Sequence, residues 1–304
     1  MTIRHLKVFT TVADTGGMSA AAKELHVSQP TVSQAIAELE KYYGVRLFER
    51  LSQKLYLTKE GELMLSFSRH ILDSFDQMEE SMNQAGKRKN LRIGCSVTVG
   101  TCLINDILDH ARNKMPDLLF HVVVANSSDI ERAILCNEVD IGIVEGILKS
   151  SELLITPVCE DELVVVCGSR HPLAKRESVT LDMLSGQDYI SRESGSAERN
   201  QLEKIFEERG LQLVRTFCST NTEAIKNAVI RGMGIAVLSA RMIEKERAAG
   251  DIVVLSIEGL KSTRNINFAI HKNKYLSKQI KMMQEIVQGN FCNENYEKRI
   301  NKIQ

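Results

Sequence analysis

Glutamine and hydroxyl side chains are concentrated in one short stretch of this chain, between residues 28 and 34. Side chains of these types can hydrogen bond to base edges and to phosphates, and the N-terminal half of a recognition helix is the part that enters the major groove of DNA. The stretch therefore predicts contacts with double-stranded DNA. The residues expected to make these contacts are Ser28, Gln29, Pro30, Thr31, Ser33 and Gln34.

Two short helices must position that stretch. Ser19 is predicted to cap the first helix, because its hydroxyl can accept from the free amides of a first turn. Residues 20–22 are all alanine, which keeps this helix thin enough for a second helix to cross it closely. Ser28 is predicted to cap the second helix, and Pro30 falls in its first turn, where a missing amide costs nothing.

The second helix has one apolar face. Val32, Ile36 and Leu39 recur at spacings of four and three, so they should point inward. Gly44 is predicted to end the helix as its C-cap. An ordinary helical hairpin with two serine caps would show the same features, so this segment alone leaves both interpretations open.

Basic residues beyond the helix favour DNA binding over an ordinary hairpin. Arg46, Arg50 and Lys54 follow in quick succession, and the apolar residues 55–57 come directly after them. This pattern predicts a short two-stranded wing. Arg50 and Lys54 are expected to lie near phosphates, which position a protein on DNA without specifying sequence.

The first 62 residues contain a series of short motifs at fixed spacing, in residues 6–9, 19–25, 27–33, 36–40, 44–50 and 57–61. By these motifs the chain resembles the LysR-type transcriptional regulators, and the resemblance runs to about residue 290. It implies a winged helix-turn-helix that binds promoter DNA, a homodimer or homotetramer, and an effect on RNA polymerase. No enzymatic activity and no cofactor are expected, since the chain lacks GxSxG, P-loop and GxGxxG motifs, and no metal is expected because its histidines lack metal-ligand spacing.

A long helix is predicted to begin after Thr58, which can cap it, while Glu60 and Glu62 suit the positive end of its dipole. Apolar residues then recur at steps of three and four, which is typical of a coiled-coil seam. A helix packed on its own chain is the alternative. The resemblance implies that this helix pairs two chains. The seam residues are Met64, Phe67, Ile71, Phe75, Met78 and Met82.

Beyond a polar hinge at residues 86–90 the pattern becomes α/β. Short apolar runs predict buried strands, and helical segments alternate with them, which favours parallel sheets. The predicted strands are residues 91–95, 121–125, 140–144, 162–167 and 266–270. The resemblance implies an effector domain of two Rossmann-like lobes, of the periplasmic-binding-protein type.

The domain limits follow from these patterns together with the resemblance, which implies that the chain crosses between the lobes near residues 161 and 266. The predicted domains are a winged helix-turn-helix at 1–58, a linker helix and hinge at 59–90 and an effector domain at 91–304, with lobe one at 91–161 and 267–290 and lobe two at 162–266.

Four loops rich in hydroxyls or amides each run from a strand end into a helix start. In open α/β sheets ligands bind outside the carboxyl ends of the strands, and helix N-termini there favour anions. Each residue taken alone could simply cap its helix, but four such loops together predict a site for a small, anionic effector. The residues expected to bind it are Ser96, Thr98, Asn126, Ser127, Ser194, Gly195, Ser196 and Thr222.

The loop at residues 190–199 is similar to an RExGSGTR-like loop of regulators of sulfur assimilation and carbon fixation. Ser194 stands where proline is usual, and Ala197-Glu198 replaces the expected Gly-Thr. Arg192 or Arg199 could pair with a carboxylate, phosphate or sulfate ligand. A structural ion pair within the protein is the alternative for either arginine.

Composition is compatible with a regulator. The 304 residues hold 39 basic and 39 acidic side chains, but residues 1–60 hold eight basic against six acidic ones, a local charge of +2.

There is no signal-peptide-like start, no apolar run long enough to span a membrane and no CxxC among the seven cysteines, so a cytoplasmic protein with reduced thiols is expected. A redox-sensing cysteine is a less favoured alternative. The sequence lacks GxSxG, P-loop and GxGxxG motifs.

Overall fold

The computed structural model describes residues 1–51, 54–82, 90–257 and 262–291. The described residues form two compact units. Unit 1 contains the chain up to Met82 together with Leu135–Glu138 and His271–Tyr275, and unit 2 contains the remainder. The predicted hinge falls almost entirely on residues 83–89, outside the described residues. Within the described part of the chain, no helix is long and apolar enough to cross a membrane.

Unit 1 begins with three helices, a hairpin and a long helix. These elements are α1 Ile3–Thr15, α2 Met18–Glu24, α3 Gln29–Tyr43, β1 Phe48–Leu51, β2 Lys54–Leu57 and α4 Lys59–Met82. The hairpin is antiparallel, with Phe48 opposite Leu57 and Leu51 opposite Lys54. The predicted wing is therefore present.

The predicted helix ends are confirmed for α3 and wrong for α2. The Ser28 hydroxyl accepts from the Thr31 amide, Pro30 lies in the first turn, and Gly44 ends the helix at φ +70°. Such a positive φ strains any residue with a Cβ. Ser19, in contrast, is no cap: α2 already starts at Met18, and Gly17 precedes it without a side chain to offer.

The predicted inward face of α3 forms the core of unit 1. Val32, Ile36 and Leu39 are buried against helix α1 and the hairpin. Phe9 of α1 is fully buried, and its ring lies 5.4 Å from that of Phe48. This packing fixes α3 and leaves its opposite side free.

Helix α4 is capped as predicted, since the Gly61 amide donates to the Thr58 hydroxyl at 3.0 Å. Three side chains of the predicted seam are exposed on this single chain: Phe67, Ile71 and Met78 are 56%, 43% and 50% exposed. Met64 and Phe75 are half-buried, and the side chain of Met82 lies outside the described side chains. Phe67 and Ile71 border an apolar pocket of about 380 Å³. On its other side α4 packs within unit 1, where the Ser66 hydroxyl donates to the Leu135 carbonyl at 2.7 Å.

Unit 2 alternates strands and helices. Its elements, some of whose end residues belong to unit 1, are β3 Asn90–Cys95, α5 Val97–Cys102, α6 Ile104–Lys114, β4 Leu119–Val124, α7 Ser127–Leu135, β5 Ile141–Glu145, β6 Leu153–Gly168, α8 Leu181–Leu184, β7 Asp188–Arg192, α9 Ala197–Glu208, β8 Val214–Ser219, α10 Thr222–Ile230, β9 Ile235–Ser239, α11 Glu244–Ala248, β10 Ile252–Val254, β11 Ser262–His271 and α12 Lys278–Phe291.

The strands are ordered β4-β3-β5-β11-β6-β9-β7-β8, and β10 pairs with β6. The prediction of parallel sheets was only partly right. β3 is parallel to β4 and β5, and β7 is parallel to β8 and β9, but β11 runs antiparallel to β5, and β6 runs antiparallel to β9. The antiparallel pairs arise where the chain returns along two long strands.

Strand β4 corrects a second expectation. Residues 121–125 were predicted to be buried, yet Val123 and Val124 are about half exposed. β4 is the end strand of the described sheet, so it gains burial from one neighbour only. The β-branched composition that predicted the strand does not distinguish an edge from a centre.

Two lobes have separate hydrophobic cores. Lobe one is centred on β3, β5, α6 and α12, with Ile93, Ile143, Phe268 and Met283 fully buried or nearly so. The cores of lobe two lie around β6, β7 and β9. Strands β6 and β11 pass between the lobes, and the predicted crossover positions 161 and 266 lie within them.

Candidate functional site

The predicted DNA-contacting residues lie at the start of α3 and face away from the core. Ser28, Gln29, Pro30 and Gln34 are exposed, whereas Thr31 and Ser33 are half-buried. Capping by Ser28 and burial of the opposite face hold the first turn of the helix toward solvent. The exposed amides and hydroxyls can therefore meet a partner without disturbing the fold.

Side-chain hydrogen bonds order this surface. The Gln29 amide donates to the Ser33 hydroxyl at 2.7 Å, and the Gln34 amide donates to the Glu38 carboxylate at 2.9 Å. Glu38 is also bonded to His5, 2.9 Å away, and this bond and the one from Gln34 lower the pKa of Glu38. His5 comes from another helix, so the sequence analysis did not include it in this cluster.

The wing carries the predicted basic residues. Arg50 is exposed on β1 opposite Leu55, and Lys54 is the first residue of β2. The side chain of Lys54 lies outside the described side chains. Because Arg50 is exposed, its guanidinium can approach a phosphate.

A cleft of about 890 Å³ opens in unit 2 between the two lobes. Its wall is mixed in charge and rich in hydroxyls, amides and backbone. Residues of lobe one, lobe two and the crossing strand β11 line it together: Ser127, Ser128, Glu131, Glu145, Gly146, Ile147, Leu148, Lys149, Ile155, Glu160, Gly195, Ala197, Asn200, Lys204, Thr263, Arg264, Asn265 and Asn267.

Of the predicted effector residues, Ser127 and Gly195 line this cleft. The Ser127 hydroxyl lies 3.4 Å from the Glu145 carboxylate. The Gly195 carbonyl accepts from the Ser128 hydroxyl at 3.3 Å, which is a contact from one lobe to the other. Asn126 serves its own helix instead, since its side-chain oxygen accepts from the Asp129 amide.

The other predicted hydroxyls point into the protein or out to solvent. Ser194 is exposed, and Thr222 is buried, with its hydroxyl accepting from Arg192 at 3.4 Å. Thr98 and Ser196 are buried, and both of their hydroxyls donate to the carboxylate of Glu198, at 3.5 and 2.6 Å. The loops that carry Thr98 and Ser196 therefore converge as predicted, but they converge on the side chain of Glu198.

Arg264 is the centre of a buried ion network that the sequence analysis missed. Its Nε donates to Asp161 at 2.9 Å, and its Nη2 donates to the Thr98 hydroxyl at 3.1 Å. The same nitrogen lies 3.5 Å from Glu145 and 3.4 Å from Glu198. Burial lowers the pKa of Arg264, but these three carboxylates outweigh it and raise the pKa above its ordinary value.

Two further arginines extend the network. Arg241 lies 3.4 Å from Asp161, which also accepts from the Ser239 hydroxyl at 2.6 Å. Arg192 lies 2.9 Å from Glu193 and 3.8 Å from Glu198. The alternative considered for Arg192, a structural ion pair, is therefore what the structure contains, and Arg199 likewise pairs with Glu203 at 2.9 Å.

The sequence contained one signal of this network. Glu145 directly follows the apolar run of β5, so its charge sits where burial is expected. Asp161 gave no such signal, because it lies between Glu160 and Glu162. Their partner Arg264 is more than a hundred residues from each of them. Sequence alone could show that buried charges need a partner but could not show which residue supplies it.

Three of the cysteines, Cys95, Cys102 and Cys167, lack the environment of a reactive thiol, whereas Cys218 is exposed. Burial raises the pKa of Cys95 to about 12 and those of Cys102 and Cys167 to about 11. The thiolate, which is the reactive form, is therefore disfavoured. Among the described residues, no group of three or more metal-ligating side chains comes together.

The chain matches two family models. Residues 3–62 match the lysR family of bacterial regulatory helix-turn-helix proteins, and residues 84–291 match the LysR substrate binding domain. It is 32% identical to the transcriptional activator CmpR of Synechocystis over 91% of both chains. It is 30% identical to the RuBisCO operon transcriptional regulator of Allochromatium vinosum, over 94% of this chain and 95% of that one.

A solved structure resembles the effector lobes. The regulatory domain of CcmR from Synechocystis PCC6803, in complex with 2-PG, superposes with a TM-score of 0.64 at 26% identity, covering 68% of this chain and 99% of that one. The relatives are transcriptional regulators, not enzymes. The RuBisCO operon regulator fits the carbon-fixation branch suggested by residues 190–199.

Replacing Arg264 tests the network. Arg264→Met should destabilise unit 2 by about 3–5 kcal/mol, because it leaves buried carboxylates without their cation. Arg112→Met is the control, since Arg112 forms an exposed pair with Asp109 whose loss should cost under about 1 kcal/mol. Differential scanning calorimetry at neutral pH measures both. Equal melting temperatures would contradict the assigned role of Arg264.

Proposed function

Because the chain belongs to the LysR family of transcriptional regulators, we propose that it couples the occupancy of its inter-lobe cleft by a small, anionic metabolite to the binding of promoter DNA. One observation carries this proposal: an outward-facing, capped recognition helix and a large polar cleft occur in the same chain. The domain limits 1–58, 59–90 and 91–304 belong to the proposal, as does a cytoplasmic location.

An anionic effector is supported by a helix N-terminus at the cleft and not by a surplus of positive charge. The lining contains three cations, Lys149, Lys204 and Arg264, and three carboxylates, Glu131, Glu145 and Glu160. Ser127 and Ser128 add hydroxyls near the N-terminus of α7, where amides and the helix dipole favour negative charge. The related CcmR domain was solved with 2-PG, which is consistent with a small effector held between the lobes. The volume of about 890 Å³ leaves room for an organic metabolite.

We assign DNA contacts to the exposed start of α3 and to the wing. Gln29, Thr31 and Gln34 would face bases, while Arg50 and Lys54 would hold phosphates. The charge of residues 1–60 is only +2, so a single winged domain offers few phosphate contacts. Two or more copies of the domain are therefore needed for tight promoter binding.

Substitutions in the two groups should have different effects on DNA binding. Gln29→Ala should relax specificity at one base pair, by about 1–3 kcal/mol, because it removes a bidentate contact to a base. Arg50→Ala should weaken binding to all sequences and flatten its salt dependence. In vitro selection of binding sites and salt-dependent titrations measure these effects, with the remote, exposed Arg132→Ala as control. An unchanged selection profile for Gln29→Ala would refute the assigned orientation of α3.

Assembly is proposed to run through α4. The exposed apolar side chains of Leu63, Phe67, Ile71 and Met78 form a stripe that a second copy of the helix would cover. Association of such dimers through the effector domains would give a tetramer. A change of lobe angle on effector binding would then alter the spacing of the DNA-binding domains and their effect on RNA polymerase. The effector must bind the two lobe arrangements with different affinity, because otherwise it cannot shift the equilibrium between them.

Introducing a charge into this stripe should disrupt assembly. Ile71→Asp would bury an unpaired carboxylate in the seam, which is strongly unfavourable. Ile71→Leu keeps the side chain apolar and should assemble as the wild type does. Light scattering gives the mass, and footprinting gives specific DNA binding. Wild-type mass with intact footprints for Ile71→Asp would contradict pairing through α4.

A charge-reversing substitution at the rim of the cleft tests whether the cleft binds an anion. Carboxylated and phosphorylated metabolites are first screened for those that raise the melting temperature of the full chain. These ligands should bind the Lys204→Glu variant at least about fivefold more weakly than the wild type, because an exposed charge reversal costs roughly 1 kcal/mol or more. Lys175→Glu, an equally exposed change away from the cleft lining, should bind as the wild type does. Equal affinities of both variants would argue against an anion in this cleft.

A further inference from the structure

The carboxylate of Glu198 occupies a position surrounded by donors. The Ser196 hydroxyl donates to it at 2.6 Å and the Thr98 hydroxyl at 3.5 Å. The guanidinium of Arg264 lies 3.4 Å from it and that of Arg192 lies 3.8 Å from it. Its own backbone amide, in the first turn of α9, adds a further donor.

This set of donors has the composition of an oxyanion site. Arginine forks, hydroxyls and the free amides of a helix N-terminus are the groups with which proteins hold carboxylate, sulfate and phosphate ligands. The donors also come from both lobes, since Thr98 lies on α5, Arg192 ends β7 and Arg264 lies on the crossing strand β11. Burial raises the pKa of Glu198, but Arg264 and Arg192 outweigh it and lower the pKa to about 2, so the side chain is an anion.

Two buried donors, one on Ser96 and one on Arg264, are unsatisfied. The hydroxyl of Ser96, two residues before Thr98, has no hydrogen-bond partner among the described residues, nor has Nη1 of Arg264, the guanidinium that contacts Glu198. Both side chains are more than nine-tenths buried. A buried donor without an acceptor is costly. The site therefore offers more donors than the single carboxylate of Glu198 uses.

We propose that Glu198 is a tethered internal ligand that fills the anion subsite at the junction of the lobes and thereby excludes small inorganic oxyanions from it. The inference rests on the proposed role of this cleft in effector binding and specifies its selectivity. Sulfate or phosphate would have to displace Glu198, whereas an organic anion can bind in the outer part of the cleft, near Lys149 and Lys204. Glu198 is on this view a specificity-determining residue.

The net charge of this network indicates that Glu198 excludes a second anion from the subsite and does not share the subsite with it. The network contains three cations, Arg192, Arg241 and Arg264, and four anions, Glu145, Asp161, Glu193 and Glu198, which gives a net charge of −1. A second anion beside Glu198 would add like charge in a medium of low polarity, which is unfavourable. Removing the Glu198 carboxylate makes the network neutral and frees the donors that now contact it.

Sulfate titration of the full-length protein tests this inference. Wild-type protein should show no saturable sulfate binding by calorimetry in the low millimolar range. Glu198→Thr and Glu198→Ala should show saturable sulfate binding, at least roughly tenfold tighter than the detection limit that the wild type fails to reach, because each donor then gains a charged acceptor. Two variants are used so that sulfate binding can still be measured if one of them fails to fold. Thermal unfolding shows whether each variant is folded.

Glu203→Thr is the matched control. It removes the same charge from the same helix, but Glu203 pairs with Arg199 and Arg215 away from the subsite. It should bind sulfate no better than the wild type. An equal gain for Glu203→Thr, no gain for either Glu198 variant, or tight sulfate binding by the wild type would each overturn the inference.

The titration needs neither DNA nor the natural effector. Failure of every organic anion to change promoter binding would count against the proposed function and leave the sulfate result unaffected. Failure of the Glu198 variants to gain sulfate affinity would count against the internal ligand only.

Discussion

Arg264 joins segments that lie far apart in the chain. Its guanidinium contacts Asp161 on β6, Glu145 at the end of β5 and Glu198 on α9, while Arg264 itself lies on β11. Each of these charges would be costly to bury alone, and together they satisfy most of one another's hydrogen-bonding needs. The two crossing strands and the loop of lobe two are therefore held in one arrangement by a single buried cation.

This constraint shapes the cleft. The hydroxyl loops approach one another as expected for a ligand site, but their innermost donors are directed to Glu198. What stays open is the outer cleft, bordered by Ser127, Ser128, Gly195 and two lysines. A ligand bound there lies close to the contact between Ser128 and Gly195, which links the lobes at 3.3 Å. Binding in the outer cleft could thus change the lobe arrangement by altering that contact, provided that the ligand prefers one arrangement.

The DNA-binding unit follows simpler rules. Its caps, its apolar face and its wing all depend on residues within a few positions of each other, and local patterns of this kind are what a sequence shows directly. Its one wrong detail, the cap assigned to Ser19, is an error of two residues in a helix start, since Gly17 occupies the cap position. Helix α4 itself could likewise be predicted, because apolar spacing along a helix is a local pattern, while pairing of two chains through it stays a prediction.

The sequence by itself determined the elements of the DNA-binding unit, the α/β alternation beyond it and two of the loops that line the cleft, those of Ser127 and Gly195. Tertiary structure alone decided that β4 is an exposed edge, that the sheet is mixed and that Thr98 and Ser196 donate to Glu198. It also decided that Arg264 is the partner of Asp161 and Glu145. The physical reason is distance along the chain: periodicity and capping act over a few residues, whereas the pairing of buried charges and the neighbours of a strand are fixed only when remote segments pack together.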